Sequence, residues 1–409
     1  MTSVAEARAP RRRMHCAAAT RLRGEAVRLP EHVLFVVSNY PPHLGGVEFH
    51  VQRLAVELVA SGHRVTVLTT TTGADVGVSE ERGVAVIRIP GRVPVQDILS
   101  FPAPGTARRI RSLCRQRDVT VVSTHTRFFP MSFVGARAAA RAGIAHVHTE
   151  HGSDHVRGVG PIVGLTSRLV DRTIGRRVLR SADAVLAVSD RVQTFVRRLS
   201  GREAIVFPNA IDIGPWLAAR PSRPRERRRL VFLGRLVPGK GWDDFITTAA
   251  LLRDRGFEFD AEIIGDGSDR PSVEVAVKRE RLDGVVAVRG RVVGADLARA
   301  LAGSTLVNAT RLAEGFQTSL IESVAAGGDV VTYPIAGAST LAEAGAPVCI
   351  VAESTPAALA TAIAEGRPGR VFDASRLAAW DWQTRARDYA TLLASVRAER
   401  ARVHAKSRR

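Results

Sequence analysis

The chain of 409 residues is poor in lysine and in aromatic residues. Lysine supplies only three of the 59 basic residues, at Lys240, Lys278 and Lys406, so arginine carries almost all of the net charge of +19. This skew indicates a genome-wide codon preference rather than selection for a phosphate-binding face. Aromatic residues make up 5% of the chain and are not interleaved with a basic run. The composition therefore disfavours a dedicated nucleic-acid-binding protein.

Cysteines and long apolar runs are equally scarce. Cys16, Cys114 and Cys349 show no paired spacing, which predicts free thiols in a reducing cytoplasm, with Cys114 and Cys349 packed as small hydrophobic residues. No run of about 18 apolar residues occurs, so no membrane-spanning helix is expected. Residues 1–29 are basic and lack the apolar segment of a secretory signal, which predicts a disordered extension.

The length and the charge distribution indicate two domains with different surfaces. A chain of this size exceeds what one hydrophobic core usually serves. Residues 1–215 contain 30 arginines and 17 acidic residues, for a net charge of +13, whereas residues 216–409 contain 29 basic and 23 acidic residues, for a net charge of +6. The basic first half could lie against anionic lipid headgroups. An arginine-rich surface facing only solvent explains the same count.

Alternating strand and helix patterns fill both halves of the chain. In residues 30–213, HVLFVVSNY, HRVTVLTTT, VAVIRIP, VTVVSTH and AHVHTEH predict strands of a parallel sheet covered by helices. Residues 214–229 hold three prolines and an arginine cluster, which predicts a linker. The pattern restarts in residues 230–371, and a single helix is expected over residues 372–400, followed by a basic tail at 401–409. The fold class is therefore α/β with two parallel-sheet domains.

Glycines follow the first strand of each predicted domain. PPHLGGV places Gly45 and Gly46 before a helix, where backbone amides can approach an anion. The spacing lacks the dinucleotide fingerprint and its later acid, which disfavours an NAD-dependent dehydrogenase, and a purely structural turn is the alternative.

FLGRLVPGKGW matches seven positions of a nucleotide-binding P-loop but has Gly241 at the eighth. The hydroxyl that would bind magnesium is therefore missing, and a P-loop NTPase is disfavoured. Arg235 and Lys240 remain as two cations suited to a diphosphate without a metal.

HVHTEHGSDH clusters histidines and acids at the end of another predicted strand. A zinc site is disfavoured because neither helical ligand spacing nor cysteine partners occur. Hydrogen-bonded burial in the sheet is the favoured interpretation for His146 and His148. His151, in the following turn, is expected at the cleft between the domains, with His125 from the preceding strand end nearby.

EGFQTSLIE sets Glu314 and Glu322 eight residues apart. Ser319 and Glu322 match a helix capping box, which would explain one hydroxyl and one acid. The functional interpretation explains more: Glu314 can reach sugar hydroxyls, Glu322 can bind a vicinal diol such as ribose, and the helix amides between them can bind phosphate.

The ordered motifs PPHLGGVEFHV, TEHG, SADAVLAVSD, FPNAID, FLGRLVPGKG, IIGDGSD and EGFQTSLIE resemble those of the retaining family 4 glycosyltransferases of the GT-B fold. The resemblance covers about residues 30–395. It implies two Rossmann-like domains facing across a cleft, the donor mainly on the second, the acceptor on the first, and a final helix crossing back to the first.

The resemblance also assigns roles to residues. The catalytic set is Glu314, Arg235, Lys240 and His151. Arg235 and Lys240 would bind the diphosphate, Glu314 and the amides of Phe316 and Gln317 the sugar, and His151 the sugar near its 6-position. Glu322 would bind the ribose. The remaining donor-binding residues would be Gly45, Gly46, Gly265, Gly267, Arg291, Gly315, Thr318, Ser319 and Leu320, and the acceptor-side candidates are His125 and Glu150.

Three departures from the family pattern bear on the donor sugar. Gly328 and Asp329 stand where a Cys-Gly-x-Pro turn is common, Gln317 replaces a commoner glycine, and YPIAGASTLAEAGAP lacks the usual double glycine and proline.

The function implied is hexosyl transfer from a nucleoside diphosphate sugar, with UDP favoured and GDP-mannose next, to an acceptor hydroxyl with retention and without a metal or other cofactor. A glycan or lipid-linked acceptor in cell-envelope or exopolysaccharide assembly is expected, at the cytoplasmic face of a membrane and without nucleic acid. The alternatives are a nucleotide-sugar epimerase and a non-catalytic nucleotide-sugar-binding protein in an assembly complex.

Overall fold

Two β-sheets, one in each half of the chain, organise the structure. The computed structural model describes residues 30–43, 45–95, 99–155, 161–223, 227–312, 314–366 and 372–407. The predicted extension at 1–29, with Cys16, lies outside the described residues. Glu31–Arg409 forms one compact unit that contains both sheets. None of the described helices is long and apolar enough to cross a membrane.

The strands of the first sheet are β1 His32–Val36, β2 Arg64–Thr71, β3 Gly77–Glu81, β4 Val84–Val95, β5 Leu99–Pro102, β6 Val121–His125, β7 Ala145–Glu150, β8 Ala184–Ala187 and β9 Ile205–Val206. Those of the second sheet are β10 Arg228–Leu233, β11 Phe259–Ile264, β12 Val286–Gly290, β13 Thr305–Asn308, β14 Asp329–Thr332 and β15 Val348–Ile350.

The α-helices of the first half are α1 Gly46–Ala60, α2 Thr106–Gln116, α3 Pro130–Ala142, α4 Pro161–Val170, α5 Arg176–Ser181 and α6 Asp190–Ser200. A π-helical turn, Asp171–Gly175, joins α4 to α5. The remaining helices are α7 Ile213–Ala218, α8 Trp242–Asp254, α9 Arg270–Arg279, α10 Gly294–Leu301, α11 Thr318–Ala325, α12 Ala338–Glu343, α13 Pro356–Glu365 and α14 Trp382–Ser407.

The strand orders confirm the predicted pair of α/β domains with parallel sheets. The second sheet runs β12-β11-β10-β13-β14-β15, and every pairing in it is parallel. The first runs β3-β4-β2-β1-β6-β7-β8-β9, with β3 and β5 both antiparallel to β4. Those two antiparallel strands depart from the predicted all-parallel sheet. In both sheets the order reverses beside the first strand of the half, where ligands of open α/β sheets bind.

Successive side chains of β1 point to opposite faces of the first sheet, which explains why the sequence of this strand is continuously apolar. Val33 and Phe35 pack with α1 on one face of the sheet, whereas Leu34 and Val36 pack with α2 and α3 on the other. A central parallel strand covered on both faces needs apolar side chains at every position.

The C-terminal region crosses between the two halves at Asp381. Trp380 belongs to a hydrophobic cluster that joins α11 to β8 and α6, and Trp382 belongs to the cluster formed by β1 and α1. The expected single helix is therefore wrong: a 3₁₀ helix, Ala374–Trp380, ends at extended Asp381, and α14 then begins. The carboxylate of Asp381 accepts hydrogen bonds from the amides of Ile213 and Gln383 at 3.4 and 3.1 Å, which fixes the break.

Three further expectations need correction. Helix α7 occupies the start of the predicted linker. Helix α14 continues to Ser407, so most of the predicted basic tail is helical. Cys114 is buried as expected, but Cys349 is exposed because it lies on the solvent-facing side of the edge strand β15.

Candidate functional site

The loops that follow β10 and β13 are joined by hydrogen bonds. The amide of Arg311 donates to the carbonyl of Gly239 at 2.9 Å, and the Thr310 hydroxyl donates to the same oxygen at 3.3 Å. Gly241 has a φ of +88°, and a Cβ atom there would lie 2.3 Å from the carbonyl oxygen of Ala309. A serine or threonine does not fit at this position, which explains why the P-loop pattern stops at Lys240.

This junction brings Lys240 and Glu314 into a direct ion pair. The Nζ atom of Lys240 donates to Oε1 of Glu314, and both side chains are largely buried. The sequence interpretation gave the two residues separate ligands, a diphosphate and a sugar, and did not anticipate that they touch. Arg235 follows β10 on the same side of the sheet, is exposed, and makes no ion pair within the described residues. The site therefore holds one neutralised cation and one exposed cation.

Helix α11 begins at Thr318, with Gln317 as its N-cap residue. The capping-box alternative is wrong, because Ser319 lies inside the helix instead of at its cap. Asn308 donates to the side-chain oxygen of Gln317, and the amide nitrogen of that buried side chain has no partner within the described part of the chain. The first turn of α11 thus presents backbone amides and one spare amide donor near Glu314.

Two predicted donor-binding residues are core residues. Leu320 is fully buried, and Phe316 packs against Gly337, where a Cβ atom would lie 2.6 Å from the ring. Both belong to the hydrophobic cluster that α11 shares with β8 and α6. Their side chains cannot contact a donor in this structure, because the first turn of α11 directs them into the core. The backbone amide of Leu320 is also engaged, because it donates to the carbonyl of Gln317 at 3.4 Å.

Glu322 keeps a little accessible surface but is closely surrounded by protein. Burial raises the pKa of its carboxyl to about 7, and a hydrogen bond with Thr318 acts in the opposite direction. A carboxyl group with this pKa can change its protonation state when hydrogen-bond donors such as ribose hydroxyls bind to it.

Gly265 and Gly267 allow the loop after β11 to pack against the loop after β10. A Cβ atom at Gly265 would lie 1.8 Å from the carbonyl oxygen of Gly234, and one at Gly267 would lie 2.2 Å from that of Leu236. Both glycines therefore hold the Arg235 loop in place. Arg291 is exposed after β12. The role of these three residues in donor binding stays a prediction.

At the start of α1, Gly45 and Gly46 lie beside an acid. A Cβ atom at Gly45 would lie 2.1 Å from Oε2 of Glu48, so that carboxylate already covers this end of the helix. The Glu48 carboxylate would repel a phosphate group. The predicted phosphate contact at Gly46 therefore requires the Glu48 side chain to turn away.

Three histidines from different elements meet at the carboxyl ends of β6 and β7. His125 Nδ1 and His151 Nε2 are 3.0 Å apart, and the ring of His50 lies edge-on to His151 with a centroid separation of 4.9 Å. Burial lowers the pKa of His151 to about 4 and lowers the pKa of His50 and of His125. All three rings are therefore neutral near pH 7. His50 lies within PPHLGGVEFHV but was given no role from the sequence, because a histidine on a predicted helix does not reveal which distant residues it contacts.

One ligand nitrogen of each ring lies within 4.8 Å of those of the other two. Three imidazoles can bind a transition metal, but doing so here would break the hydrogen bond between His125 and His151. The expected metal-independent chemistry stays a prediction.

A hydrogen-bond relay connects this histidine cluster to α14. The Tyr389 hydroxyl and Ser123 Oγ are 2.8 Å apart, and Ser123 Oγ is 3.2 Å from His125 Nε2. His125 is fully buried, so it orients His151 and does not face an acceptor as expected. His146 and His148 are buried and share the Thr124 hydroxyl at 2.8 Å each, in agreement with the favoured interpretation.

Glu150 lies behind the site and is fully buried, which corrects its predicted acceptor-side role. Its carboxylate accepts from Arg127 Nη1 at 2.8 Å and from the amides of His151 and Gly152 at 3.1 and 2.8 Å. Burial alone would raise the pKa of Glu150, but the charge of Arg127 and these hydrogen bonds lower it to about 2. Arg127 also donates to Asp171 at 2.8 Å. This buried network fixes the His151 loop.

The His151 loop and the Glu314 loop meet across the two halves. A Cβ atom at Gly315 would lie 1.9 Å from the carbonyl oxygen of His151. Glycine is therefore required for this approach. The contact brings together residues that are more than 160 positions apart in the sequence and places them at the facing carboxyl ends of both sheets.

Comparisons with known proteins agree with this arrangement. A sequence model described as Glycosyltransferase Family 4 matches residues 44–214, and one described as Glycosyl transferases group 1 matches residues 227–365, so the two together match well over half of the chain. The chain is 27% identical over 319 residues to the phosphatidylinositol N-acetylglucosaminyltransferase GPI3 subunit of Saccharomyces cerevisiae, covering 75% of this chain and 68% of that protein.

A second relative is the phosphatidyl-myo-inositol mannosyltransferase of Mycolicibacterium smegmatis, which is 28% identical over 296 residues and covers 70% of this chain and 72% of that protein. Among solved structures, Anabaena HepE in complex with UDP superposes with a TM-score of 0.62 at 18% identity, covering 92% of this chain and 100% of that chain. At this identity the likeness bears on the fold alone.

Proposed function

Because the chain belongs to glycosyltransferase family 4 and has the GT-B fold, we propose that it transfers a hexose from a nucleoside diphosphate sugar to an acceptor hydroxyl. The observation that carries the proposal is the meeting of Lys240, Glu314 and His151 where the carboxyl ends of the two sheets face each other. Cations for a diphosphate and a carboxylate for sugar hydroxyls lie together there.

The donor diphosphate binds Arg235, Lys240 and the amides at the start of α11. Arg235 is the exposed cation of this group, and Lys240 exchanges part of its contact with Glu314 for the phosphates. Glu314 then accepts from sugar hydroxyls, and Glu322 accepts from the ribose. Two cations and helix amides compensate the charge of the diphosphate, so the donor binds without a metal. UDP-sugars are the favoured donors and GDP-mannose is the next.

Transfer proceeds on one face of the sugar. The bond from the anomeric carbon to the diphosphate oxygen breaks as the acceptor oxygen bonds to the same carbon, and the acceptor proton passes to the departing diphosphate. The products are the glycoside, with its configuration retained, and the free nucleoside diphosphate. Arg235, Lys240 and the amides of α11 stabilise the negative charge that develops on the leaving group, which is the largest contribution to catalysis in sites of this kind.

The acceptor is a lipid-linked glycan precursor in cell-envelope assembly, used at the cytoplasmic face of a membrane. Two relatives support this choice, because both are named for transfer to phosphatidylinositol lipids. The basic first half gives further support, since anionic headgroups attract such a surface.

A thermal-shift screen tests donor binding. The full chain is heated with UDP-, GDP-, ADP- and dTDP-sugars in the presence of EDTA. One class is expected to raise the melting temperature by a few degrees, which identifies the base. Arg235→Ala should abolish that shift, whereas Arg279→Ala, on the distant helix α9, should not. A well-folded protein that responds to none of the four classes would contradict the proposal.

A further inference from the structure

Helix α4 and the π-helical turn that follows it expose apolar side chains to solvent. Leu165 and Leu169 are 72% and 63% exposed, and Ile174 in the π turn is also exposed. Leu165 and Leu169 are four residues apart and therefore lie on one face of α4. Single exposed leucines are ordinary, but two neighbours on one face form a local apolar surface.

Arginines lie close to the two leucines in sequence, and two of these arginines line a pocket. Arg168 lies between the two leucines in sequence, and Arg172 and Arg176 follow in the π turn and α5. Arg172, Arg176 and Arg198 of α6 line a cavity of about 480 Å³ together with Asp154, His155 and Phe195. Within the described residues, none of the four arginines makes an ion pair. Asp154 is the only acidic side chain among the described residues that line the pocket, so the arginines outnumber the acids there.

We propose that Leu165, Leu169, Arg172, Arg176 and Arg198 form a docking surface for anionic phospholipid bilayers. The leucines enter the boundary between headgroups and acyl chains, and the arginines bind lipid phosphates. The guanidinium group suits this role because its donors match phosphate oxygens in pairs.

A lipid surface explains both parts of this region. A free phosphate would use the arginine pocket alone and would leave the leucines in water. A nucleic acid would also need arginines, but aliphatic leucines provide no stacking surface for bases. An apolar face flanked by basic side chains matches an interfacial helix, which lies in the plane of the headgroups.

The docking surface is connected to the His151 side of the cleft. Phe195, in the pocket, lies under the guanidinium of Arg127 at 4.4 Å, and Arg127 in turn holds Glu150. Glu150 anchors the amides of His151 and Gly152. A lipid-borne acceptor, as in the proposed function, would thus approach from the side that carries His151. Only this last statement rests on the proposed function.

Vesicle co-sedimentation of the full chain tests the proposal. Vesicles of phosphatidylcholine alone are compared with vesicles in which part of the lipid is phosphatidylglycerol. We expect binding to the anionic vesicles, weakening as salt rises. Leu165→Ser/Leu169→Ser and Arg172→Gln/Arg176→Gln should each weaken that binding by about tenfold or more. The matched control is Val275→Ser/Arg279→Gln, which changes an exposed aliphatic residue and an exposed arginine on α9 and should bind normally.

Four results would overturn the proposal: no sedimentation with anionic vesicles, equal binding to neutral vesicles, equal loss in the control, or unchanged binding in both test variants. Complete displacement by inorganic phosphate at constant ionic strength would also overturn it, because the pocket would then be a site for free phosphate. Melting temperatures exclude misfolded variants. The vesicle assay contains no donor or acceptor. A negative result in it is therefore distinguishable from a negative result in the thermal-shift screen for donor binding.

Discussion

Among single residues, Lys240 and Glu314 dominate the site because each neutralises the other. Their side chains are 14% and 29% exposed, so removal of one leaves a partly desolvated charge without its partner. An uncompensated charge in such a position is costly, and the remaining side chain is expected to reorient. In the proposed function, this ion pair would couple the diphosphate site to the sugar site.

Lys240→Ala and Glu314→Ala should each lower turnover by about a hundredfold or more while the fold stays intact. The reason is that Lys240 stabilises the leaving diphosphate and Glu314 positions the sugar. Initial rates of nucleoside diphosphate release measure the effect, with circular dichroism as a check on folding. Lys278→Ala, an exposed lysine on α9, is the control. Near-normal rates in both site variants would refute these roles.

Glu322 predicts a pH dependence of donor binding. With its pKa raised from 4.5 to about 7, the carboxyl is largely protonated below pH 7 in the free protein. Ribose hydroxyls favour the ionised form, so donor affinity should fall as the pH drops below about 7. Titration calorimetry across this range measures it. Glu322→Gln should bind more weakly at pH 8 and lose the pH dependence, and an unchanged slope in that variant would assign it to another group.

The raised pKa of Glu322 also predicts how the stability of the folded protein changes with pH. Because the folded pKa lies above the unfolded value, the stabilisation from protonated Glu322 is complete below pH 4.5 and is lost as the pH rises through about 7. The melting temperature of Glu322→Gln relative to the wild type should therefore rise over that interval.

The sequence motifs singled out polar residues that the structure brings together, namely Lys240, Glu314 and His151, and their roles stay predictions. Arg235, Lys240, Glu314 and His151 stand in motifs whose residue types suggest chemistry. Leu320 was assigned by its position in a motif, and its burial depends on how α11 packs. His50 could not be found, because its contact with His151 is tertiary.

Among the secondary-structure elements, α14 carries a side chain that reaches the site. Tyr389 is fully buried and hydrogen-bonds to Ser123, which contacts His125. The helix therefore helps to set the orientation of His151 from the face of the first sheet that also carries α1.

Tyr389→Phe should preserve the ring packing and remove the hydroxyl. We expect a stability loss of about 1 kcal/mol, typical of one buried hydrogen bond, together with a lower kcat as His151 loses its fixed orientation. Ser395→Ala on the same helix removes an exposed hydroxyl and should change neither. Loss of stability with an unchanged kcat would show that the relay only supports packing.

Long elements with clear periodicity were predictable, whereas interruptions were not. Helix α1 buries residues at helical spacing, and β1 is continuously apolar, so local sequence determines both. The break at Asp381 depends on bonds to Ile213 and to Ile211, which lie far away in sequence. Tertiary contacts of this kind leave no local pattern.

For the whole molecule, the contact between Gly315 and His151 determines how closely the two halves approach. The motifs indicated two domains and a cleft. No sequence pattern indicates that this contact is possible only because Gly315 has no Cβ atom. In the proposed reaction, this contact would help to exclude water from the reacting sugar.

Gly315→Ala should hold the two halves apart, because its Cβ atom would overlap the His151 carbonyl. We expect a turnover about tenfold lower and a larger radius of gyration with donor bound, measured by small-angle scattering. Gly214→Ala, where a Cβ atom meets no atom within 4 Å, is the control. If turnover and scattering both match the wild type, the contact does not limit closure.

The proposed function rests on metal-independent binding of a nucleoside diphosphate by Arg235 and Lys240, which calorimetric titration in the presence of EDTA measures. The nucleoside diphosphate of the class found in the donor screen should bind the wild type, and Arg235→Ala should bind it about tenfold to a hundredfold more weakly, as expected for loss of a charge-assisted contact. Binding that needs added Mg²⁺, or equal affinity in Arg235→Ala, would contradict the account.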